Sequence, residues 1–387
     1  MTNVMHTLTY VLDGGLEKVV YMICENLGRE NYNHTIVVLS KQKNSFLLDK
    51  FRTLGAEIEF LDFDNRLFSV KSLAKNLKQI FILARLIKKK NIQVLHTHDF
   101  FPALVARLSY LAALIFFFKK IPLVYVTLHN IFFWLKPIHH RLNKLRSGLT
   151  TKVICVSKSV LDYSLWHDKL SEKKYQIIFN GVNVDEFAPN EEIRKHYRRL
   201  FECSESDFII GNIGVLSVRK GQKYLVDALS KIDQKKNICL LIFGSERSHE
   251  KNIPKELYEL IQKNSLSEKV KILEPRDDIN LIYNMFDVFV MPSIVEGLSL
   301  CAIEAMLMKK ICLFSDIDPF TEMIDDGVNG FICKREDSGD LALKLDNIIS
   351  HYEEFGFIGE KARETALHKY NVERMAKEYK ALYDSSF

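Results

Sequence analysis

Several common features are scarce in this 387-residue sequence, and each scarcity excludes a class of protein. The seven cysteines stand singly, without a C-x-x-C pair, which excludes a disulfide framework and a cysteine-rich zinc site and indicates a reducing compartment. With 16 glycines and 8 prolines the chain is neither collagen-like nor a linker, and 47% hydrophobic residues exclude a disordered protein. The first residues lack a basic stretch before an apolar core, so no signal peptide is expected.

Two phosphate-binding motifs are missing as well. Gly211 and Gly214 follow a predicted strand, but their spacing differs from G-x-G-x-x-G, and no G-x-x-x-x-G-K-[ST] segment occurs. A dehydrogenase or a P-loop ATPase therefore loses its main support. Two D-x-D triplets, at 62–64 and 316–318, could hold a divalent cation through nucleotide phosphates, but the same composition is common in turns, and we expect turns.

Negative charge is absent from one long stretch, since no carboxylate and nine Lys or Arg lie between Asp99 and Asp162. Residues 1–185 carry 26 Lys+Arg and 14 Asp+Glu, a net charge of +12, whereas residues 186–387 carry 28 and 35, a net charge of −7. This asymmetry predicts two domains with different partners, the basic one suited to anionic lipid, nucleic acid or a phosphorylated substrate. No nucleic-acid-binding module is recognisable, so no nucleic-acid partner is expected.

The basic stretch holds an aromatic run, IFFWL at residues 131–135, directly before Lys136. Basic residues beside Trp and Phe predict an interfacial contact with anionic lipid, bound on the surface and not spanning. The alternative is that these aromatic side chains pack inside the domain. A second apolar segment, residues 100–118, carries only Arg107 as a charge and approaches transmembrane length. Its favoured interpretation is a helix buried between the sheet and a neighbour.

Short apolar runs alternate with helical patterns along the rest of the chain, which predicts parallel sheets joined by right-handed crossovers. The strands predicted in the first half are 4–8, 35–39, 58–60, 94–96, 123–127 and 153–156, and those in the second half are 209–213, 239–243, 270–273, 288–291 and 311–314. The stretch 180–190, with Gly and Pro, is the expected hinge, and 361–382 predicts one or two amphipathic helices. The expected architecture is two α/β domains, residues 1–183 and 184–369.

The strongest candidate site follows the predicted strand at 288–291. Glu296 precedes Gly297, which permits a tight turn, and a helix is expected to begin near Ser299. The backbone N–H groups of Leu298, Ser299 and Leu300, with the positive end of the helix behind them, form a ready site for a diphosphate.

Three other features fit the same chemistry. Glu304 lies among apolar residues of that helix, where a carboxylate needs a partner such as a sugar diol, unless it faces solvent or makes an ordinary ion pair. Arg219 and Lys220 stand at a predicted strand-to-helix turn, where cations can neutralise a departing diphosphate, although a solvated turn is the simpler interpretation. Gly14 and Gly15 open a helix after the first strand and could let the backbone approach a ligand, but alone they are a weak signal.

The ordered set of these segments resembles family 4 of the retaining, nucleotide-sugar-dependent glycosyltransferases. The resemblance rests on Glu296 and Glu304 after a strand and P-S, with K-G about 75 residues upstream. Supporting segments are G-G-x-E at 14–17, HTH at 96–98, TLH at 127–129, IFNGVN at 178–183, Glu322, and DGVNGF at 326–331. The matches span residues 4–331, nearly the whole chain.

This resemblance implies a GT-B fold, with two Rossmann-like domains facing across a cleft. It implies that the C-terminal domain binds the nucleotide sugar, that the N-terminal domain binds the acceptor, and that the helix at about 370–387 packs back on the first domain. The implied site residues are Lys220 at the donor diphosphate, Glu304 at the ribose hydroxyls, Glu296 at the donor sugar, the N–H groups of 297–300 around sugar and phosphate, His129 at the reaction centre, and Gly15 near the diphosphate.

Two positions depart from the family pattern. Val215 stands where many members have an Arg, five residues before Lys220, and Arg219 is the candidate replacement for that charge. DIDP at 316–319 replaces a glycine-rich turn before Glu322, which predicts a stiffer and more acidic loop.

The histidines are weighed separately. His129 ends a predicted strand and is the favoured catalytic candidate, since ligands of α/β sheets bind at such strand ends. His96 and His98 also end a strand and are weaker candidates. His139 and His140 lie in a basic loop and are expected at the surface.

The function implied is that of a cytoplasmic, retaining hexosyltransferase, peripheral at the inner face of the membrane. It would need no metal or cofactor and would move a sugar from a UDP- or GDP-sugar to a hydroxyl of a glycan or lipid-linked acceptor, in cell-surface polysaccharide or lipopolysaccharide synthesis. Residues 100–161 contain no carboxylate to act as a nucleophile. The family resemblance then implies front-face attack, with a donor phosphate oxygen taking the acceptor proton. Two alternatives stay open: an NDP-sugar epimerase or hydrolase of GT-B type, and a non-catalytic sugar-nucleotide-binding protein.

Overall fold

The computed structural model describes residues 1–385 apart from 13, 43–44, 65–69, 122, 132–134, 136–138, 142–143, 145–146, 233–236 and 247–251. The centre of the aromatic run predicted to meet lipid therefore lies outside the described residues. The chain divides into two compact units, residues 1–181 with 372–387, and residues 182–371.

The first unit contains a seven-stranded parallel sheet in the order β3-β2-β1-β4-β5-β6-β7. Its strands are β1 (Thr2–Leu8), β2 (Tyr32–Val38), β3 (Glu57–Phe60), β4 (Val94–His98), β5 (Leu123–Leu128), β6 (Lys152–Cys155) and β7 (Tyr175–Ile177). Its helices, with the numbering following the chain, are α1 (Gly15–Leu27), α2 (Phe46–Thr53), α3 (Val70–Lys89), α4 (Phe100–Phe117), α5 (Lys158–Asp168) and α14 (Val372–Asp384). The strand order reverses between β1 and β4, which is where open parallel sheets bind ligands.

The second unit contains a six-stranded parallel sheet in the order β10-β9-β8-β11-β12-β13. Its strands are β8 (Phe208–Ile213), β9 (Ile238–Phe243), β10 (Val270–Leu273), β11 (Val288–Met291), β12 (Ile311–Ser315) and β13 (Phe331–Cys333). Its helices are α6 (Glu191–Leu200), α7 (Gln222–Leu229), α8 (Ile253–Lys263), α9 (Ile279–Ile282), α10 (Leu300–Leu307), α11 (Asp318–Thr321), α12 (Ser338–Ser350) and α13 (Gly356–Lys369). Here the order reverses between β8 and β11.

Burial of both sheet faces explains why the strands are continuous apolar runs. All four residues of β11 are buried, and β9 has the sequence ICLLIF with five of six residues buried. Parallel strands covered by helices on both sides have no solvent face, so they do not alternate apolar and polar residues. These are the strands that the apolar runs predicted best.

The first sheet departs from this rule on one face near its centre. His6 on β1 pairs in register with His96 on β4, and His98 pairs with Thr127 on β5. These side chains share one face of the sheet because residues two apart along a strand, and residues paired across strands, point the same way. All four are buried, so this face is a polar layer inside the unit.

The predicted class of two α/β domains, each built on a parallel sheet, is confirmed. All eleven predicted strands are present with ends shifted by up to three residues, while β7 and β13, of three residues each, were not predicted. Their runs are too short to show a period. The helical tail is two helices, α13 and α14.

Helix α4 differs from its prediction as a fully buried helix. Its first half is buried, but Leu114, Ile115 and Phe116 near its end are exposed, and so is Phe118, which follows it. By length and composition alone it is the one helix of the described residues that could cross a membrane, and 56% of its 18-residue window is buried. The helix is therefore half core and half apolar surface.

Candidate functional site

The loops after β8 and β11 carry the donor-site candidates of the second unit, and they are joined to each other. The amide of Ile294 donates to the carbonyl of Arg219, with an N···O distance of 2.8 Å. Gly221 has φ 66°, and a Cβ at this position would lie 2.0 Å from the carbonyl oxygen of Pro292. Glycine is therefore required here, both for its backbone conformation and for the close approach of the two loops.

Lys220 and Glu296 form an ion pair across these loops. The Nζ of Lys220 lies 2.6 Å from Oε1 of Glu296, and the hydroxyl of Ser293 donates to the same oxygen at 2.9 Å. A Cβ at Gly214 would come within 3.2 Å of Cε of Lys220, so the glycine leaves room for the lysine side chain. The two predicted catalytic residues of this unit are thus in direct contact.

The carboxyl group of Glu296 is buried and held in its charged form. Burial opposes its ionisation, but the charge of Lys220, followed by that of Arg219, lowers its pKa below the usual value. Arg219 is half-buried and supplies part of the positive charge near this carboxylate. Val215, at the position where the family pattern has Arg, instead accepts a hydrogen bond at its backbone carbonyl from the side chain of Gln222.

Helix α10 begins directly after Glu296 and Gly297. Ser299 is its N-cap, but the side chain of Ser299 makes no capping hydrogen bond and lies with its Oγ 3.6 Å from Sδ of Met291. The first N–H groups of a helix have no intrahelical acceptor, and the helix dipole makes this end positive. Leu298 and Leu300 are both buried, so their side chains anchor this turn.

Glu304 lies inside α10 and is only 6% exposed, which removes the alternative of a solvated helix face. The hydroxyl of Tyr283 donates to its Oε2 at 2.9 Å and also reaches the carbonyl of Cys301 at 3.1 Å. Burial, followed by the charge of Glu304, raises the pKa of Tyr283 well above its ordinary value, so the tyrosine stays a donor. A buried acid is thus held by a neutral hydroxyl.

In the first unit, Gly14 and Gly15 stand at the start of α1, after β1. Gly14 is the N-cap residue, and a Cβ there would lie 2.6 Å from Oε2 of Glu17, which folds back over this turn. Gly15 is exposed. The turn is therefore open on its outer side and carries the positive end of a helix.

His129 follows β5, at the carboxyl edge of the first sheet. Its amide donates to Oδ1 of Asp99 at 2.8 Å, and Asp99, with φ 69°, turns the chain between β4 and α4. Its ring is buried, with Nε2 3.1 Å from Nδ1 of His98. Burial lowers the pKa of His129 to about 3, so the imidazole is neutral at physiological pH.

His129 belongs to a larger histidine cluster that includes two residues missed from the sequence. His6 lies with Nδ1 3.1 Å from Nε2 of His98, and His34 on β2 lies with Nδ1 3.3 Å from Nε2 of His6. His96 instead bonds to the hydroxyls of Tyr383 and Thr127, at 2.5 and 2.7 Å. The available signal was that His6 and His96 lie inside the predicted strands 4–8 and 94–96, in a layer otherwise expected to be apolar.

His140 corrects the expectation of a surface pair at 139–140. It is 8% exposed, and its Nδ1 lies 2.7 Å from Oδ1 of Asp168 at the end of α5. Its ring also stacks on that of His167, with centroids 4.9 Å apart. It is a buried structural residue, because α5 covers it.

The two D-x-D triplets behave as turn residues in the described structure. Asp62 pairs with Lys75 and Lys41, at 2.8 and 3.2 Å, which hold its pKa below the usual value. Asp316 accepts the amide of Arg335 at 2.8 Å. Within the histidine cluster, His6 with His96 and His98, and His6 with Cys24 and His34, place possible metal-ligand atoms within 4.8 Å. Hydrogen bonds among the rings already engage most of these nitrogens, so they account for the cluster without an ion.

The chain is similar to known proteins over its whole length. The structure of Anabaena Alr3699/HepE in complex with UDP-glucose superposes with a TM-score of 0.87, at 17% sequence identity and with 100% of both chains covered. A family described as "Glycosyltransferase Family 4" matches residues 13–186, and one described as "Glycosyl transferases group 1" matches residues 194–365. The chain is a glycosyltransferase of the GT-B fold. The family resemblance of the sequence is confirmed at this level.

Two related proteins show the level of sequence identity and coverage for this glycosyltransferase. An uncharacterized glycosyltransferase, MJ1607 of Methanocaldococcus jannaschii, is 28% identical over 248 residues, which cover 63% of this chain and 62% of that protein. The UDP-Gal:alpha-D-GlcNAc-diphosphoundecaprenol alpha-1,3-galactosyltransferase of Escherichia coli is 23% identical over 342 residues, which cover 85% of this chain and 86% of that enzyme.

Proposed function

We propose that this glycosyltransferase transfers a hexose from a UDP- or GDP-sugar to a hydroxyl of a glycan or lipid-linked acceptor, with retention of the anomeric configuration and without a metal or cofactor. The single observation that carries the proposal is the Lys220–Glu296 ion pair beside the start of α10. A cation, a buried carboxylate and a positive helix end are what a nucleoside diphosphate sugar requires. In this proposal the second unit binds the donor and the first unit, with α14, binds the acceptor.

The roles of the donor-unit residues follow from charge. Lys220, Arg219 and the N–H groups of 297–300 stabilise the negative charge that develops on the departing diphosphate. Glu296, buried and ionised, accepts hydrogen bonds from the sugar hydroxyls, and Glu304 accepts those of the ribose. Gly14 and Gly15 supply backbone N–H groups from the first unit.

The acceptor proton has no carboxylate to receive it within residues 100–161. His129 is neutral in its buried site, and the carboxylate of Asp99 accepts from its backbone amide, whereas Nδ1 of its ring has, within the part of the chain that the structure describes, no hydrogen-bond partner that would make it a strong base. We therefore assign the proton to an oxygen of the departing phosphate, which becomes more basic as the glycosidic bond breaks, so that the acceptor oxygen attacks from the face that the phosphate leaves. This order of events retains the configuration of the sugar.

The acceptor class is proposed from the name of the E. coli relative, which acts on a diphosphoundecaprenol-linked sugar. Such an acceptor is held at a membrane, and this fits a peripheral enzyme of polysaccharide or lipopolysaccharide synthesis. The described part of the first unit supports this with a surface of its own. That surface, here called the α3–α4 apolar patch, consists of Leu73, Leu77, Phe81, Leu111, Leu114, Ile115, Phe116 and Phe118, all exposed.

The α3–α4 apolar patch is one continuous surface. Leu73, Leu77 and Phe81 lie four residues apart and so form one stripe along α3. The ring of Phe81 lies 5.1 Å from that of Phe116 on α4, centroid to centroid. Large exposed apolar surfaces of this kind are rare on proteins that have no partner.

The charges beside the patch select its partner. Asp99 is the only Asp or Glu between Asp64 and Asp162, so α3 and α4 contain none. The exposed cations along and after these helices are Lys75, Lys78, Arg85, Lys88, Lys89 and Lys120. Apolar side chains on helices whose own charges are all positive fit an anionic lipid surface, where each cation contributes about 1 kcal/mol. We therefore assign this patch to the lipid contact that the sequence placed at 131–135.

Vesicle co-sedimentation tests the lipid assignment. The wild-type protein is expected to bind anionic vesicles but not neutral ones, and added salt should weaken the binding. The Phe116→Ser, Phe118→Ser double variant should not bind anionic vesicles. Trp166→Ser is the matched control, since Trp166 is an exposed aromatic residue on α5. If the double variant instead abolishes self-association, the patch is a protein interface and the lipid assignment is wrong.

Product analysis tests the reaction and its rivals. A transferase should release the nucleoside diphosphate only when acceptor is present. A retaining enzyme should give an α-linked product from an α-linked donor, and a metal-independent enzyme should keep its turnover in EDTA. Release without acceptor would indicate a hydrolase, and a changed sugar without release would indicate an epimerase. Binding with neither outcome would indicate a non-catalytic protein.

A further inference from the structure

Four buried histidines of the first unit form one row of hydrogen bonds. Nδ1 of His34 meets Nε2 of His6 at 3.3 Å, Nδ1 of His6 meets Nε2 of His98 at 3.1 Å, and Nδ1 of His98 meets Nε2 of His129 at 3.1 Å. Every link joins the Nδ1 of one ring to the Nε2 of the next. The four rings, here called the histidine row, therefore point in the same direction.

Each ring of the histidine row carries a single proton. Burial lowers the pKa of His34 to about 4 and that of His129 to about 3, and it lowers those of His6 and His98 well below 6.5. Desolvation disfavours the imidazolium form in each case. The row therefore contains four N–H groups for three hydrogen bonds.

Only two proton arrangements complete all three bonds. If His34 is protonated on Nδ1, it donates to His6, which must then be protonated on Nδ1, and the same holds along the row to His129. If His34 is protonated on Nε2, every other ring must be protonated on Nε2. A mixed arrangement places two N–H groups, or two lone pairs, face to face in at least one link. The tautomer of His129 is thus coupled to that of His34, three links away.

The two ends of the row differ in their surroundings. Nε2 of His34 and Nδ1 of His129 are both buried without a hydrogen-bond partner among the described residues. His34 lies within the sheet, on β2, and on the sheet face that also carries His6. His129 follows β5 at the carboxyl edge, where parallel sheets bind their ligands.

We propose that the histidine row holds His129 as a neutral hydrogen-bond donor at Nδ1, with His98, His6 and His34 as positioning residues. In the arrangement protonated on Nδ1, a ligand oxygen at the carboxyl edge of the sheet accepts the buried N–H of His129, and only a lone pair is left unpaired at His34. In the other arrangement a buried N–H of His34 is left without an acceptor, and unpaired buried N–H groups are the rarer and costlier defect.

The row therefore selects an oxygen acceptor, a hydroxyl or a phosphate, as the partner of His129. The identity of that ligand as a sugar nucleotide or acceptor sugar rests on the proposed function, whereas the proton arrangement does not. The consequence for the reaction is that His129 orients a substrate oxygen and does not remove its proton. No bond to hydrogen is broken in this role.

Nitrogen NMR of protein labelled with ¹⁵N in its histidine rings tests the proposal on the wild-type chain. At pH 7.5, His6, His34, His98 and His129 are expected to be neutral and all protonated on Nδ1. Mixed tautomers, protonation on Nε2, or a charged ring among the four would overturn it. Single His→Asn variants assign the signals, and His351→Asn, at an exposed residue, is the control that leaves the four unchanged.

A pair of variants tests the coupling. In His98→Gln the amide NH₂ can still donate to Nε2 of His129, so His129 should keep its proton on Nδ1. In His98→Leu this donor is lost, and His129 should move to a mixture of tautomers. An unchanged His129 in His98→Leu would show that the row does not position it. If His98→Leu does not fold, the wild-type spectrum alone decides. A failed transferase assay with the expected spectrum would overturn the proposed function and leave this inference intact.

Discussion

The ammonium group of Lys220 lies 2.6 Å from Oε1 of Glu296, although 76 residues separate them in the chain. Both side chains are largely buried, so neither charge is well solvated and each depends on the other. A diphosphate that binds beside Lys220 has to share it with Glu296. The pair is therefore a structural link between two loops, and in the proposed function it is also the point at which donor charge is recognised.

Two substitutions in this pair should have opposite effects on nucleotide binding. Lys220→Ala removes a charge-assisted partner of the diphosphate and should weaken UDP or GDP binding about tenfold or more. Glu296→Gln removes the competing negative charge and should keep or improve that binding, while turnover falls by about 10²–10³. Calorimetry and steady-state kinetics measure the two effects. Lys223→Ala, at an exposed lysine one turn along, is the control.

The same two variants should also differ in thermal stability. Lys220→Ala leaves the Glu296 carboxylate buried without its cation, which costs about 3–5 kcal/mol, whereas Glu296→Gln leaves the more accessible lysine. Lys220→Ala should therefore melt at the lower temperature. Equal losses of both affinity and stability in the two variants would contradict the donor role of this pair.

Glu304 offers a test of the ribose contact. Glu304→Gln keeps the size of the side chain and can still accept from Tyr283, so the fold should survive, while donor affinity falls about tenfold because a charged acceptor becomes neutral. Tyr283→Phe should act mainly on stability, by about 1–3 kcal/mol, since it removes a hydrogen bond from a buried carboxylate. Binding isotherms and thermal melts of both variants separate the two roles. Unchanged affinity in Glu304→Gln would remove Glu304 from the donor site.

His129→Ala should lower turnover far more than donor affinity, since His129 belongs to the unit assigned to the acceptor. His129→Asn is the informative companion, because an amide NH₂ can replace the ring as a neutral donor. Recovery of part of the turnover in His129→Asn would support a donor role. Near-normal turnover in His129→Ala would make His129 a structural residue at the end of a strand.

Five buried histidines of the first unit, the four of the histidine row and His96, predict acid sensitivity. Burial lowers the pKa of His96 to about 3 and that of His34 to about 4, from about 6.5 in the unfolded chain. Below pH 6.5 the unfolded chain therefore binds more protons than the folded chain. The free energy of unfolding is highest above pH 6.5, where these histidines are neutral in both states, and it falls as the pH decreases towards the folded-state pKa values of about 4 and 3. Each histidine that stays neutral contributes about 1.4 kcal/mol of this loss per pH unit.

Thermal melts between pH 7.5 and 5 measure this loss. We expect a steep fall of the melting temperature below pH 6.5 and a shallower fall in His34→Gln, which has one fewer titrating group. A melting temperature that does not change across this range would show that the histidines are protonated in the folded chain, and it would remove the basis for a neutral histidine row.

Local patterns in the sequence were sufficient for most of the architecture. Strands that are buried on both faces are apolar throughout, so β9 and β11 appear as continuous apolar runs. The strand-turn-helix segment around Glu296 was also predictable, because a glycine before a helix start depends only on residues that are near in sequence. Helix α4 was predicted with its correct start but with the wrong environment, since composition alone does not distinguish core from exposed apolar surface.

The sequence by itself determined the two α/β halves, the glycine turns and the charge imbalance, because these depend on neighbouring residues and on composition. The tertiary structure alone decided that Lys220 reaches Glu296, that Tyr283 holds Glu304, and that His6 and His34 join His98 and His129 in one row. These contacts join residues from different strands and loops, and their pairing depends on strand order and register. A one-residue shift of register would turn each histidine of the row to the opposite face of the sheet, so no local pattern could specify it.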